Sequence, residues 1–92
     1  APLEIMALCA AALSAAGRLA EIGSRLAVSD AGCAAAILRG ALEAAALNVL
    51  VNTKTMTDRP AADHLNARCF ALLDQGRTDG ERIFCAVRDQ LV

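Results

Sequence analysis

Residues 30–54, DAGCAAAILRGALEAAALNVLVNTK, decide how this chain folds. Between Asp30 and Lys54 only Arg39 and Glu43 are charged, and alanine, the best helix former, recurs throughout. The run shows no period-two alternation, so it reads as helix, and a helix apolar nearly all round is normally buried all round. The spacing predicts a central helix over 30–55, covered by neighbours. Ser29 or Asp30 can cap its start with a side-chain oxygen. Arg39 and Glu43, four apart, can pair along its side.

Two asparagines interrupt the apolar pattern near its end. Asparagine is a poor helix former, and a buried amide without a partner costs about 1–3 kcal/mol. Asn48 and Asn52 therefore either bond to each other and a neighbouring helix, fixing register, or bind something else. At about 100° per residue they share a face with Asp30, Ala34, Ile37, Ala41 and Ala45. Asp30 lies about 27 Å from Asn48 along such a helix. Both ends can serve one small molecule only if a second helix runs antiparallel or a second subunit contributes.

Helical segments flank this one. The first is expected over 3–22, opening with Pro2 and Glu4, which suit a helix N-terminus, and stopping at Gly23. Leu3, Met6, Leu13 and Leu19 are its larger apolar side chains. The third is expected over 59–91, with Thr57 or Asp58 as cap and Pro60 in its first turn. Residues 54–92 hold 12 of the 19 formal charges, so this helix shows one face to water. Its apolar stripe is Leu65, Cys69, Leu72, Ile83, Val87 and Leu91. Gly76 and Gly80 fall on the same stripe and either break the helix or admit another backbone; the spacing alone does not decide, and a continuous helix is the expectation. No heptad, repeat or low-complexity linker is apparent. The fold class is all-α, a three-helix portion of an oligomeric bundle, in one helical (half-)domain over 1–92.

Composition sets further bounds. Apolar residues make up 57% of the 92, yet 22 of them are alanine, and Phe70 and Phe84 are the only aromatics. Such side chains let helices approach closely but bury little surface, so a homodimer or larger assembly is expected. A net charge of −1 with both signs mixed points to no nucleic-acid or membrane partner. Uncharged runs of about a dozen residues fall short of the roughly 20 needed to span a bilayer. No secretory signal is visible, and a cytoplasmic location is expected. The start at Ala1 suggests a processed product, an excised domain or a fragment. Cys9, Cys33, Cys69 and Cys85 show no close pairing and read as buried thiols. With His64 as the single histidine, a surface residue by its setting, no metal is expected.

PLEIMALCAAAL at 2–13, VSDAGCAAAILRGALEAAALNVLVNTKTMTD at 28–58 and a charged terminal helix together resemble the cyclodeaminase/cyclohydrolase family. That family includes the cyclodeaminase part of formiminotransferase-cyclodeaminase and bacterial methenyltetrahydrofolate cyclohydrolases. The resemblance carries through the Pro-Leu-Glu opening, the Val-Ser-Asp entrance and the Asn-Val-x-x-Asn near the end of the second helix. It implies an all-helical fold, dimers or larger assemblies, and a tetrahydrofolate derivative as substrate. A full family domain is about twice as long, and the family's glycine-rich GGGS-like segment is absent, so the chain looks like a C-terminal half.

The implied reactions pass through a tetrahedral carbon between N5 and N10 and need proton transfer. One closes 5-formiminotetrahydrofolate to 5,10-methenyltetrahydrofolate with loss of ammonia. The other adds water and opens the methenyl bridge to 10-formyltetrahydrofolate. Chemistry at the matching positions makes Asp30 the catalytic candidate, Asn48 and Asn52 the groups that orient substrate, and Lys54 the partner of the glutamate tail. The competing class is a non-catalytic, self-associating helical interaction module.

Overall fold

The computed structural model describes residues 2–22 and 25–92; the expected stop at Gly23 lies outside them, as does the side chain of Leu19. Three helices follow one another: α1 (Pro2–Ile22), α2 (Arg25–Lys54) and α3 (Arg59–Leu91). No strand occurs among the described residues. The fold is all-α. α3 has the start the sequence announced: Asp58, with extended backbone, accepts a hydrogen bond from the amide of Ala61 at 3.1 Å, and Pro60 sits in the first turn. It then runs unbroken through Gly76 and Gly80.

α2 begins five residues earlier than the capping signals suggest. Ser29 and Asp30 lie inside the helix and cap nothing. Val28 is buried against the core, and continuing the helix through it gains more than a cap at Ser29 would. The local pair also fails to form as expected. Glu43 reaches across to Arg77 of α3 at 3.3 Å, a half-exposed bridge worth about 0–1 kcal/mol, while the stem of Arg39 lies on Gly80.

Contacts fix the topology. Going up α2, Gly32 meets Val87, Leu42 meets Gly76, Ala46 meets Cys69 and Thr53 meets Asn66, so α2 and α3 are antiparallel. Leu13 meets Gly76, Gly17 meets Ile83 and Ala20 meets Gln90, so α1 and α3 are parallel. Met6, Leu13, Leu42, Cys69 and Ile83 are the largest wholly buried side chains. On α3, Leu65 and Leu72 are only half-buried and Leu91 is exposed; the glycines take the deep positions instead.

The molecule is a rod of 50 × 18 × 16 Å with a radius of gyration of 15.0 Å. A compact chain of this length would measure about 12 Å. In this shape α2 is not buried all round: Ile37, Leu47 and Val51 are 72%, 65% and 68% exposed. Two neighbours cover one side of a helix, and its outer side stays open. The span Ala27–Lys54 is, by length and composition, long and apolar enough to cross a bilayer, because the Arg39/Glu43 interruption is small within 28 helical residues.

Helix approach is set by glycine. A Cβ built on Gly76 would overlap Cδ2 of the buried Leu42, and one on Gly32 would lie 2.8 Å from Cγ1 and 3.1 Å from Cβ of Val87. Valine in a helix is held to one rotamer and cannot turn aside. Gly32→Ala should therefore lower the melting temperature: overpacking costs about 1–3 kcal/mol, against a helix-propensity gain of at most about 1 kcal/mol. Thermal unfolding followed by circular dichroism checks this, and a higher melting temperature would contradict the close approach.

Candidate functional site

The sequence-derived site residues fall at opposite ends of α2. Asn48, Asn52 and Lys54 are exposed near the α2–α3 turn, and Asp30 is exposed at the far end. Twenty-four residues of helix put Asp30 about 36 Å from Lys54. Asn48 and Asn52, four apart, share a side of α2, whereas Lys54, two residues on, projects from another side, and the carboxylate is remote from all three. His64 is exposed on α3.

Neither asparagine amide makes a hydrogen bond to another described residue, and the two do not bond to each other. Asn52 borders a hollow of about 200 Å³ between the start of α1 and the α2–α3 turn. Val49, Met56, Leu3 and Leu65 give it an apolar floor, with Thr53 beside Asn52 at the wall. The arrangement offers apolar surface for a flat ring and one free amide for its polar edge. Asn48 is exposed one turn back along the helix.

What holds this end in place was not evident from the sequence. Thr53 is the one buried polar residue among those described, and its hydroxyl donates to Oδ1 of Asn66 at 2.6 Å. Arg59 extends Nη1 to the carbonyls of Thr53 (2.8 Å), Met56 (3.2 Å) and Lys54 (3.5 Å). The carbonyls of Thr53 and Lys54 belong to the last turn of α2, that of Thr53 also accepting from the Met56 amide at 3.3 Å, and a guanidinium there complements the helix dipole. The cation that reaches these carbonyls comes from α3, not from α2 itself. A cation five residues past a helix end, across a tight turn, was the available signal.

Two other hollows lie away from these residues. The larger, about 340 Å³, is an apolar groove where Ser29, Gly32 and Cys33 of α2 face Phe84, Val87 and Arg88 of α3. Arg88 is bound to Asp89 at 3.0 Å, and that hydrogen bond raises the pKa of its guanidinium further. The other, about 290 Å³, is charged and lined by Arg39, Asp74, Arg77, Thr78 and Glu81. Among the described residues no three or more His, Cys, Asp or Glu side chains converge as a cation requires. Cys9 and Cys69 are buried as expected, but Cys33 is exposed, because it lies on the open side of α2. Burial pushes the Cys69 thiol up, and the thiol points to the carbonyl of Ala46 at 3.8 Å.

The formiminotransferase-cyclodeaminase family model matches residues 1–71. Methenyltetrahydrofolate cyclohydrolase of Methylorubrum extorquens is 33% identical over 90 residues, 98% of this chain and 43% of that protein. The chain thus spans less than half the length of that curated relative. No solved structure matches.

The buried Thr53–Asn66 bond should be measurable. Thr53→Val keeps the shape, removes the donor and should cost about 1 kcal/mol. Urea unfolding checks this; an unchanged midpoint would mean the hydroxyl contributes nothing net.

Proposed function

The chain belongs to the formiminotransferase-cyclodeaminase family, and from that premise we propose that it works in folate one-carbon chemistry, binding 5,10-methenyltetrahydrofolate or its formimino or formyl counterpart. The observation that carries this reading is the free amide of Asn52 at the rim of an apolar hollow at the C-terminal end of α2, with the exposed amide of Asn48 one turn back. A pterin has two apolar faces and an edge of alternating donors and acceptors. An asparagine amide supplies one of each and can read that edge. The floor of Val49, Met56 and Leu65 takes a ring face, and Lys54 meets the glutamate carboxylates.

The chemistry asked of the site is modest. In the hydrolytic direction water adds to the methenyl carbon, loses a proton, and the C–N5 bond breaks with N5 taking a proton. In the deaminating direction N10 attacks the formimino carbon and ammonia leaves. Both need a group that accepts and returns a proton, the role given to Asp30. The assembly is a homodimer or larger, and the location cytoplasmic. A second reading, a non-catalytic self-associating module, is favoured by the exposed Ile37, Leu47 and Val51.

The test is equilibrium binding of 5,10-methenyltetrahydrofolate to the chain and to its Asn48→Leu and Asn52→Leu variants. Each variant should bind about tenfold more weakly, the equivalent of one hydrogen bond of about 1.4 kcal/mol. Leucine is helix-friendly and similar in size, so the melting temperature should hold or rise. Leucine variants that bind as tightly as the parent defeat the folate reading; variants that bind normally but assemble differently support the second.

A further inference from the structure

The charged hollow between α2 and α3, about 290 Å³ in volume and lined by Arg39, Asp74, Arg77, Thr78 and Glu81, takes no part in the folate reading. Asp74, Thr78 and Glu81 recur at spacings of four and three, so they share one side of α3. Its two carboxylate residues lie about 10 Å apart along the axis. Local rules offer every charge here a partner: Arg77 stands three after Asp74 and four before Glu81, and Arg39 stands four before Glu43. The structure makes none of those pairs. Glu43 takes Arg77 at 3.3 Å across the helices, and Arg39, Asp74 and Glu81 form no ion pair with another described residue. One hollow is thus bordered by two negative charges and one positive charge that its own residues leave unmatched.

The positive charge is also held in place. Gly80 has no side chain, and the Arg39 stem lies over the gap, with Cδ 3.1 Å and Cβ 3.2 Å from a Cβ built there. A stem packed on backbone has fewer rotamers left to lose, so its guanidinium meets a ligand at a lower entropic cost. Arg77 is fixed in turn by Glu43.

We propose that this hollow binds a basic α-amino acid such as L-lysine. The unmatched charges run negative, positive, negative, and lysine presents the complement, two ammonium groups about one carboxylate. The carboxylate meets the fork of Arg39, whose planar donors suit it. Glu81 adjoins Gly80, on which Arg39 lies, and takes the α-ammonium; Asp74, two turns away, takes the ε-ammonium. The Thr78 hydroxyl, between the two carboxylates, can donate or accept. Other small ligands fit less well. An anion alone would meet both carboxylates, and a diamine would set a cation beside Arg39. Among the described residues no three His, Cys, Asp or Glu side chains converge to hold a divalent cation. The inference is independent of the folate reading, whose hollow lies at the turn end of α2.

The experiment titrates the whole isotope-labelled chain with L-lysine and follows the backbone amides of Thr78 and Gly80 by NMR. Saturable shifts should give a Kd on the order of 1 mM at low salt, the strength of a few exposed charge-assisted contacts. Added sodium chloride should weaken it. L-norleucine, which lacks the ε-ammonium, and cadaverine, which lacks the carboxylate, should each bind about fivefold more weakly. L-lysine should lose about as much on Arg39→Gln, Asp74→Asn and Glu81→Gln, with the helical circular dichroism unchanged. Asp63→Asn, which removes an exposed carboxylate outside the hollow, should bind like the parent. No saturable shift by about 20 mM L-lysine overturns the inference. So do norleucine or cadaverine bound as tightly as lysine, or hollow variants that bind like the parent. Asp63→Asn weakened as much as those variants would reduce the effect to general charge, and overturn it too. Inorganic phosphate that moves the same amides at lower concentration than lysine would assign the hollow to anions, and overturn it equally.

Discussion

The packing depends on how near one helix may come to another where a side chain is only a hydrogen atom. Gly76 beneath Leu42 and Gly32 beneath Val87 draw α3 onto α2, and Gly17 lets Ile83 of α3 reach α1. Dispersion and burial at these points come from the large partner alone, so each glycine is worth what its neighbour fills. An alanine-rich chain has few large partners to offer. It can form a tight trio, but two neighbours cannot enclose the middle helix, and the exposed Ile37, Leu47 and Val51 are the remainder.

Elements with both a start signal and a polar face were legible in the sequence. α3 is the clearest, since Asp58 and Pro60 mark its beginning and its charges mark its outside. The start of α2 was not, because Ser29 and Asp30 look like a cap, and only the burial of Val28 shows why the helix ignores them. The Arg39–Glu43 pair satisfied a local rule that Arg77, 34 positions away from Glu43, overrode. The open side of α2 was hidden for a different reason: in a helix apolar on all sides nothing marks which side faces out until Ala35, Leu42 and Val49 are known to face inward.

The sequence supplied candidate residues for a site but not their surroundings. The sequence could say that two amides in an apolar helix want partners; it could not say that both stay exposed, with Asn52 at the rim of a hollow beneath α1. Nor could it give the supports of that end, because Thr53, Asn66 and Arg59 act through contacts between elements that no spacing on one element encodes. The candidate residues sit on the outside of the fold, and the Thr53–Asn66 bond lies beneath them.

The fastening around the α2–α3 turn bears on the order in which the molecule takes shape. Asp58, Arg59 and the Thr53–Asn66 bond join residues at most 13 positions apart. The bond between Gln90 and Ala20 spans 70. Closing a short loop costs less entropy than closing a long one, and local contacts accordingly form sooner. Both sequence-adjacent pairs, α1 with α2 and α2 with α3, are therefore cheap to close, and the packing of α1 on α3 carries the larger entropic cost.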